Sequence, residues 1–148
     1  MPIRNFRKGD EVTCAEICRL AIEEEKSVSR QQMDWLIEHE NEEKFLDRLK
    51  YCDALLVYEE KEKVVGVAGL AHGELKGLYV HPKNQRKGIG SILLKEIESR
   101  ARKHGWVSLR FDANPRSVPF YEKHGYHSIK EDLIKDTDIK IVWMEKRL

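Results

Sequence analysis

The stretch Gln85-Arg86-Lys87-Gly88-Ile89-Gly90 joins the end of an apolar, strand-like segment to the start of the strongest helix pattern in the chain. The first backbone N–H groups of a helix have no partners within it, and the helix dipole makes them attract anionic oxygens. Gly88 and Gly90 would let a pyrophosphate approach this backbone without interference from a Cβ atom. Arg86 and Lys87 add positive charge. The stretch therefore predicts a phosphate-binding loop, although an ordinary loop before a helix can show the same pattern.

Two common phosphate-binding motifs are not matched by this loop. The dinucleotide fingerprint needs a third glycine where this chain has Leu93, and a P-loop needs Gly-Lys followed by Ser or Thr. The loop alone therefore leaves the phosphate ligand open.

The helix after the loop has one apolar and one charged face. The residues predicted to face the core are Ile89, Ile92, Leu93, Ile97 and Ala101. On the other face, Glu96/Arg100 and Glu98/Arg102 are predicted i,i+4 pairs. Gly105 stands where a helix-ending glycine belongs, so we predict a helix over about 90–104.

Hydrophobic periodicity and capping residues order the rest of the chain. Three helices are predicted after Asp10, Ser29 and Asn41, and the Ser29/Gln32 pair forms a capping box. Strands are predicted at 3–7, 54–58, 64–70, 75–80, 107–111, 126–130 and 139–146, with a short helix around 120–123. This order predicts an α/β fold in which helices cover both faces of a mixed, mainly antiparallel sheet.

Composition limits the chain to a few classes of protein. The 148 residues, 41% hydrophobic and 36% charged, fit one globular domain over 1–148. Lys+Arg 27 against Asp+Glu 26 gives a net charge of +1, so charge favours neither nucleic acid nor a membrane surface as partner.

The sequence shows no targeting or metal-binding pattern. The N-terminus has no apolar leader region, which predicts a cytoplasmic protein. Cys14, Cys18 and Cys52 are predicted to be reduced thiols, with the first two buried on one helix face. No Cys or His spacing is typical of a zinc site, so we predict no metal.

Three sequence signatures occur together in the last two thirds of the chain. The first is Glu74-Leu75-Lys76-Gly77-Leu78-Tyr79-Val80-His81-Pro82, followed by the loop at 85–90. The second is Asn114 with Phe120-Tyr121-Glu122-Lys123-His124-Gly125-Tyr126, and the third is Trp143-Met144-Glu145-Lys146-Arg147-Leu148. With this order and spacing, the chain from about 55 to 148 resembles the GNAT superfamily of acetyl-CoA-dependent N-acetyltransferases.

The resemblance implies a sheet of about seven strands that splays between the fourth and fifth. The backbone of Leu78 and Val80 would bind the pantetheine arm and the thioester in that gap. The residues implied to contact acetyl-CoA are Leu78, Tyr79, Val80, Gln85, Arg86, Lys87, Gly88, Ile89, Gly90, Ser91, Asn114 and Lys123. Pro119 fits only the first turn of a helix, so the short helix is predicted to begin near Ser117 or Val118.

The resemblance also implies the catalytic residues, Tyr121 as general acid and Glu74 as general base. An amine with a reference pKa of roughly 10 arrives protonated and must lose a proton before it attacks. A carboxylate such as Glu74 could accept that proton, and Tyr121 could protonate the leaving thiolate. Transfer from thioester to amine needs no covalent enzyme intermediate.

Other functions compete with acetyl transfer at this stage. A non-catalytic acyl-CoA-binding domain with the same fold, a nucleotide-binding module of another fold, and transfer of a longer acyl group all stay open. The acceptor is not identified either, because the acidic runs at 23–25 and 38–43 are typical of solvated helix faces as well as of amine-binding sites. The predicted partners are acetyl-CoA and an amine acceptor, and a homodimer is left open.

Overall fold

The computed structural model describes residues 2–25 and 28–148, in which five α-helices pack on a seven-stranded sheet. The elements in chain order are β1 (Ile3–Asn5), α1 (Glu11–Glu23), α2 (Arg30–His39), α3 (Glu42–Tyr51), β2 (Ala54–Glu60), β3 (Lys63–Ala71), β4 (Glu74–Val80), α4 (Ile89–Lys103), β5 (Ser108–Ala113), α5 (Val118–Lys123), β6 (His127–Leu133) and β7 (Lys140–Arg147). Short 3-10 turns at Pro82–Asn84 and Pro115–Ser117 precede α4 and α5.

The sheet has the order β1-β2-β3-β4-β5-β7-β6, and its neighbouring strands are antiparallel except β4 and β5. Among the described residues, those two strands share one registered pair, Glu74 with Arg110. Beyond this pair they diverge. The predicted mixed sheet and the gap between its fourth and fifth strands are therefore confirmed.

The helices form two layers, as predicted. On one face, α4 and α5 cover a core that includes Leu93, Ile97, Leu109 and Met144. On the other face, α1 to α3 cover a second core that contains Cys14, Cys18 and Phe45. Because each face of the sheet is covered by its own helices, the divergence of β4 from β5 opens a gap that both layers border.

The helix starts follow their sequence signals closely. Ser29 and Gln32 form both bonds of the capping box, and Asn41 accepts a hydrogen bond from the Lys44 N–H. Pro119 lies in the first turn of α5, which begins at Val118 as predicted. The carboxylate of Asp10 precedes α1 but does not cap it, because it binds the Arg4 guanidinium instead.

Two expectations for α4 were wrong. Glu98 does not pair with Arg102 on an exposed face; it is 4% exposed and accepts hydrogen bonds from Tyr126 Oη at 2.7 Å and Lys146 Nζ at 2.9 Å. Ile92 is 42% exposed rather than part of the core. Glu98 is buried because Tyr126 and Lys146, which are distant in the sequence and which local periodicity does not reveal, lie against this flank of the helix.

The three cysteines are unpaired, as predicted, with Cys14 and Cys18 buried and Cys52 half-buried. Burial raises the pKa of Cys14 to about 12 and that of Cys52 to about 11. Thiols with such pKa values stay protonated and unreactive at neutral pH.

A bulge in β4 changes the direction of the strand beside the gap. Leu75 pairs with Leu70, and Leu78 pairs with Ala68. Between these two pairs β4 therefore contains one more residue than β3, which is a β-bulge. Gly77 lies in this interval with a φ of +84°. A Cβ atom on Gly77 would lie 3.1 Å from Cε2 of Tyr79. The bulge therefore requires glycine both for its backbone angle and for the Tyr79 ring beside it.

We expect the Gly77→Ala variant to lose stability. A left-handed backbone costs an alanine roughly 1–2 kcal/mol, and the contact with Tyr79 adds to that cost. The matched control is Gly105→Ala, because Gly105 has a φ of +85° but nothing within 4 Å of its Cβ position. Urea unfolding of both variants should show the larger loss for Gly77→Ala. Equal losses would mean that the Tyr79 ring moves aside freely.

Candidate active site

The gap between β4 and β5 forms a cleft of about 400 Å³. Its walls include residues from both strands, from α1 and α2, and from the segment around 134–141. The predicted site residues that line it are Glu74, Leu78, Tyr79, Val80, Gln85, Asn114 and Tyr121. The structure thus brings both predicted catalytic residues into one cleft.

The predicted phosphate loop lies beside this cleft, at the start of α4. Arg86 has a φ of +64°, and Gly88 precedes the helix with a φ of +82°. Nothing lies within 4 Å of the Cβ position of Gly88, so a ligand can reach the backbone there. The Ile92 N–H binds the Gly88 carbonyl as a bond of the helix. The preceding amides, 89–91, belong to the first turn and point out of the helix end.

The polar side chains of the loop differ in their partners. Gln85 Nε2 donates to the Val80 carbonyl at 3.0 Å, so this side chain braces the end of β4. Lys87 Nζ lies 3.4 Å from Glu60 Oε1, while Arg86 is exposed. A Cβ atom on Gly90 would lie 3.4 Å from the ring of Phe120, so Gly90 also allows α5 to pack on α4.

A histidine that the sequence reasoning missed links the loop to α5. His124 Nε2 lies 2.8 Å from Ser91 Oγ, and its Nδ1 lies 2.8 Å from the Phe120 carbonyl. With the Nδ1–H donating to that carbonyl, Nε2 accepts from the Ser91 hydroxyl. The side chain of Lys123, on the same helix, is exposed. The hydrogen bond between His124 and Ser91 thus connects the start of α4 to the end of α5 beside the cleft.

Tyr121 places a phenol at the cleft. The residue is 7% exposed, and its ring packs against Phe111 and Tyr126 at centroid distances of 4.6 and 5.9 Å. Its hydroxyl makes no hydrogen bond to any residue that the structure describes. Burial, helped by the negative charge of Asp112, raises the pKa of Tyr121 above its ordinary value. This phenol therefore keeps its proton at neutral pH and can donate it into the cleft.

Glu74 lies at the start of β4 and has a cationic partner. Lys76 Nζ donates to Glu74 Oε2 at 2.8 Å. Burial lowers the pKa of Lys76, but the hydrogen bond and charge of Glu74 outweigh it, so the net shift is upward. The carboxylate at the predicted base position is thus present in the cleft, where an ammonium group already contacts it.

A buried ion pair in the cleft wall was also missed. Glu40 is 7% exposed and binds the Arg48 guanidinium through both carboxylate oxygens, one of them at 3.1 Å from Nη1. The Cys18 thiol lies 3.8 Å from Glu40 Oε2, and burial raises the pKa of this thiol well above its usual value. In the sequence, Glu40 belongs to an acidic run that is typical of a solvated helix face. The one sequence feature that could have indicated a buried ion pair is Arg48, eight residues later.

Two further features bear on the predicted ligands. Among residues 2–25 and 28–148, no three His, Cys, Asp or Glu side chains are grouped so that they could hold a metal ion. Within the same ranges, no helix is both long enough and apolar enough to cross a bilayer.

Comparison with known proteins places this architecture in a family. Residues 23–148 match the model of the acetyltransferase (GNAT) domain. The uncharacterized N-acetyltransferase YjcF of Bacillus subtilis is 30% identical over 108 residues, which are 70% of this chain and 77% of the relative.

Solved structures agree with this placement. A GCN5-related N-acetyltransferase from Rhodopseudomonas palustris superposes with a TM-score of 0.90 at 26% identity, covering 99% of this chain and 94% of that one. The PaiA N-acetyltransferase from Thermoplasma acidophilum, solved in complex with coenzyme A, gives 0.80 at 25% identity, covering 99% and 98%. The protein therefore belongs to the GNAT family and is an acetyl-CoA-dependent acyltransferase.

Proposed function

We propose that this protein transfers the acetyl group of acetyl-CoA directly to a primary amine. The observation that carries the proposal is the buried phenol of Tyr121, which has no hydrogen-bond partner among the described residues and lines the cleft between β4 and β5. A neutral phenol at that place can protonate a leaving thiolate. We also propose the cytoplasm as the site of action, because Cys14, Cys18 and Cys52 are unpaired thiols.

The cofactor site that we propose has two parts. The diphosphate would bind the loop from Arg86 to Ser91, where the Cβ position of Gly88 is open and the first-turn amides of α4 are available. The pantetheine arm would bind along the unregistered edge of β4 at Leu78, Tyr79 and Val80. Asn114 lines the same cleft, and its side-chain oxygen accepts from the Arg116 N–H at 2.9 Å. We place Gln85 and Lys123 at the rim of this site.

The proton transfers follow from the side chains on the two strands. Glu74 would accept a proton from the acceptor ammonium, and the free amine would attack the thioester carbonyl to form a C–N bond. A backbone N–H of β4 would stabilise the oxyanion. The C–S bond then breaks, and Tyr121 donates its proton to the departing sulfur. The cationic nitrogen of the intermediate gives up its extra proton through solvent, which returns one proton to the tyrosinate, so that a neutral amide and a neutral thiol leave the site. Acetyl-CoA supplies only the activated acetyl group.

The first test is the release of free thiol from acetyl-CoA with a panel of primary amines. Turnover that requires both acetyl-CoA and an amine supports the proposal. Mass spectrometry of the product should show one added acetyl group on nitrogen. A protein that binds coenzyme A but releases no thiol with any amine would contradict amine transfer.

We expect Glu74→Gln to lower kcat at neutral pH by roughly 10- to 100-fold, near the lower end of general-base effects. The loss should shrink as the pH approaches 10, because the acceptor amine then arrives deprotonated without help. Rates measured from pH 7 to 10 check this. The control is Glu96→Gln on α4, whose carboxylate binds Arg100 outside the cleft. An unchanged rate of Glu74→Gln at pH 7 would remove Glu74 from the role of base.

A further inference from the structure

The cleft holds a carboxylate that the proposed mechanism does not use. Asp112 is exposed on β5 and lines the cleft, on the opposite face of the strand from the buried side chains Leu109, Phe111 and Ala113. It lies on the strand across the gap from Glu74 and Lys76. Its charge helps to raise the pKa of Tyr121, which lines the same cleft.

Asp112 differs from the other carboxylates of the cleft in having no cation. Glu25 pairs with Arg116 at 3.0 Å, Glu40 with Arg48, and Glu74 with Lys76 at 2.8 Å. For Asp112, the described residues provide neither an ion pair nor a hydrogen bond to the carboxylate. Arg110 shares its face of β5, but that guanidinium lies over the Trp143 ring at 5.3 Å. Asp112 is therefore a carboxylate of the cleft without a direct ion-pair partner among the described residues, although its charge helps to raise the pKa of Lys76, which Glu74 holds.

The charges of the described lining residues favour a cationic acceptor. Among residues 2–25 and 28–148, four carboxylates line the cleft together with two cations, Arg48 and Lys76. An acceptor with an anionic group on the stem that enters the cleft would meet this negative excess, and like charges repel.

The rest of the lining favours an apolar stem. Trp35 on α2, Ile22 on α1, and Ile134, Ile139 and Ile141 from the C-terminal part of the chain line the cleft. Two contacts join the N-terminal helices to the C-terminal half beside them, Glu25 with Arg116 and Gln31 Oε1 with the Asp138 N–H at 3.0 Å. The apolar side chains of the lining suit an alkyl stem better than a polar one.

We infer that Asp112 holds the ammonium group of the acceptor, and that the acceptor is an alkyl amine without an anionic group on the stem that enters the cleft. A free alkylamine and the side chain of a lysine in a peptide share this chemistry. The inference rests on the proposed function and assigns Asp112 to binding, whereas Glu74 takes the proton.

The experiment measures steady-state thiol release with three acceptors that have similar stems. These are n-pentylamine, 5-aminopentanoate, and lysine blocked at both ends as Nα-acetyl-lysine amide. For the wild type we expect KM for 5-aminopentanoate to be at least about tenfold higher than for n-pentylamine. The relative rates of the other two distinguish a free amine from a lysine side chain as the natural source.

The Asp112→Asn variant tests the residue itself. Loss of a charge-assisted hydrogen bond should raise KM for n-pentylamine and the blocked lysine by about 10- to 100-fold, with a smaller change in kcat. It should also narrow the difference from 5-aminopentanoate. Asp47→Asn on α3, outside the cleft lining, is the matched control and should change neither constant.

Several outcomes would overturn the inference while leaving the proposed function intact. One is an unchanged KM in Asp112→Asn; another is equal use of 5-aminopentanoate and n-pentylamine by the wild type. Acetylation of other amines but of none of these three would also overturn it. If Asp112→Asn lost kcat rather than raised KM, the residue would act in the chemistry and not in binding. Failure to bind coenzyme A, measured by calorimetry, would instead remove the proposed function.

Discussion

The Tyr121→Phe variant should lose about 100- to 1000-fold in kcat while its affinity for coenzyme A stays within a factor of two. The substitution removes one hydroxyl from a ring that packs against Phe111 and Tyr126, so the packing of α5 is retained. What is lost is the proton donor for the departing thiolate, and general acid catalysis is typically worth about 10² to 10⁴ in rate. Steady-state thiol release and calorimetric coenzyme A binding measure the two quantities separately.

The pH dependence of the wild type should agree with this role. Because the pKa of Tyr121 is raised, the phenol is protonated through neutral pH and beyond the usual tyrosine value of about 10. The acid form therefore persists on the alkaline side, and we expect no fall in kcat below pH 10 from loss of this proton. A fall near pH 8 that disappears in Tyr121→Phe would contradict a buried, neutral phenol.

Tyr126→Phe is the matched control for the loss of a hydroxyl. Its hydroxyl donates to Glu98 at 2.7 Å in the core between α4 and the sheet, not in the cleft. This variant should lower stability and leave kcat nearly unchanged. If Tyr121→Phe retained more than about a third of wild-type kcat, another proton donor would have to be sought.

The Arg48→Met variant should lower the free energy of unfolding by about 3–5 kcal/mol, the usual cost of leaving one buried charge without its partner. The Glu40 and Arg48 side chains are 6% and 11% exposed. Although burial lowers the pKa of Arg48, Glu40 raises it more, so the guanidinium is firmly charged. Methionine keeps the apolar stem but removes the positive charge, and the Glu40 carboxylate is left in an apolar wall. Urea unfolding measures the loss.

A double variant separates the lost charge from lost packing. Adding Glu40→Gln to Arg48→Met removes the orphaned charge, so we expect much of the stability to return. Arg30→Met, which breaks an exposed i,i+4 pair with Asp34 on α2, is the matched control and should change stability little. If the double variant were no more stable than Arg48→Met, the guanidinium would matter through its packing on Phe45 instead.

The parts of the fold that were predictable are those encoded by neighbouring residues. The capping box at Ser29, the helix start at Val118 beside Pro119, and the loop before α4 all depend on contacts within a few positions. The predicted gap in the sheet came from the family resemblance and not from periodicity. Strand ends shifted by a few residues, as at β6, which spans His127–Leu133 instead of the predicted 126–130.

The parts that were not predictable depend on residues far apart in the chain. Glu98 resembles a surface glutamate until Lys146, 48 positions later, is placed beside it. The bulge at Gly77 appears only when β4 is aligned with β3. Asp112 has the alternation of an ordinary exposed strand residue, and its lack of a partner is visible only once the cleft is assembled. Local patterns specify elements, whereas the site depends on their assembly.

Because β4 and β5 share a single registered pair, few backbone hydrogen bonds connect the two parts of the sheet. One piece contains β1 to β4 and the other β5 to β7, and the ladder of backbone bonds that would couple them is nearly absent. On the proposed binding mode, a pantetheine arm along the open edge of β4 would supply some of the missing bonds. We therefore expect bound coenzyme A to stabilise the connection between the two parts of the sheet, and its release to loosen that connection.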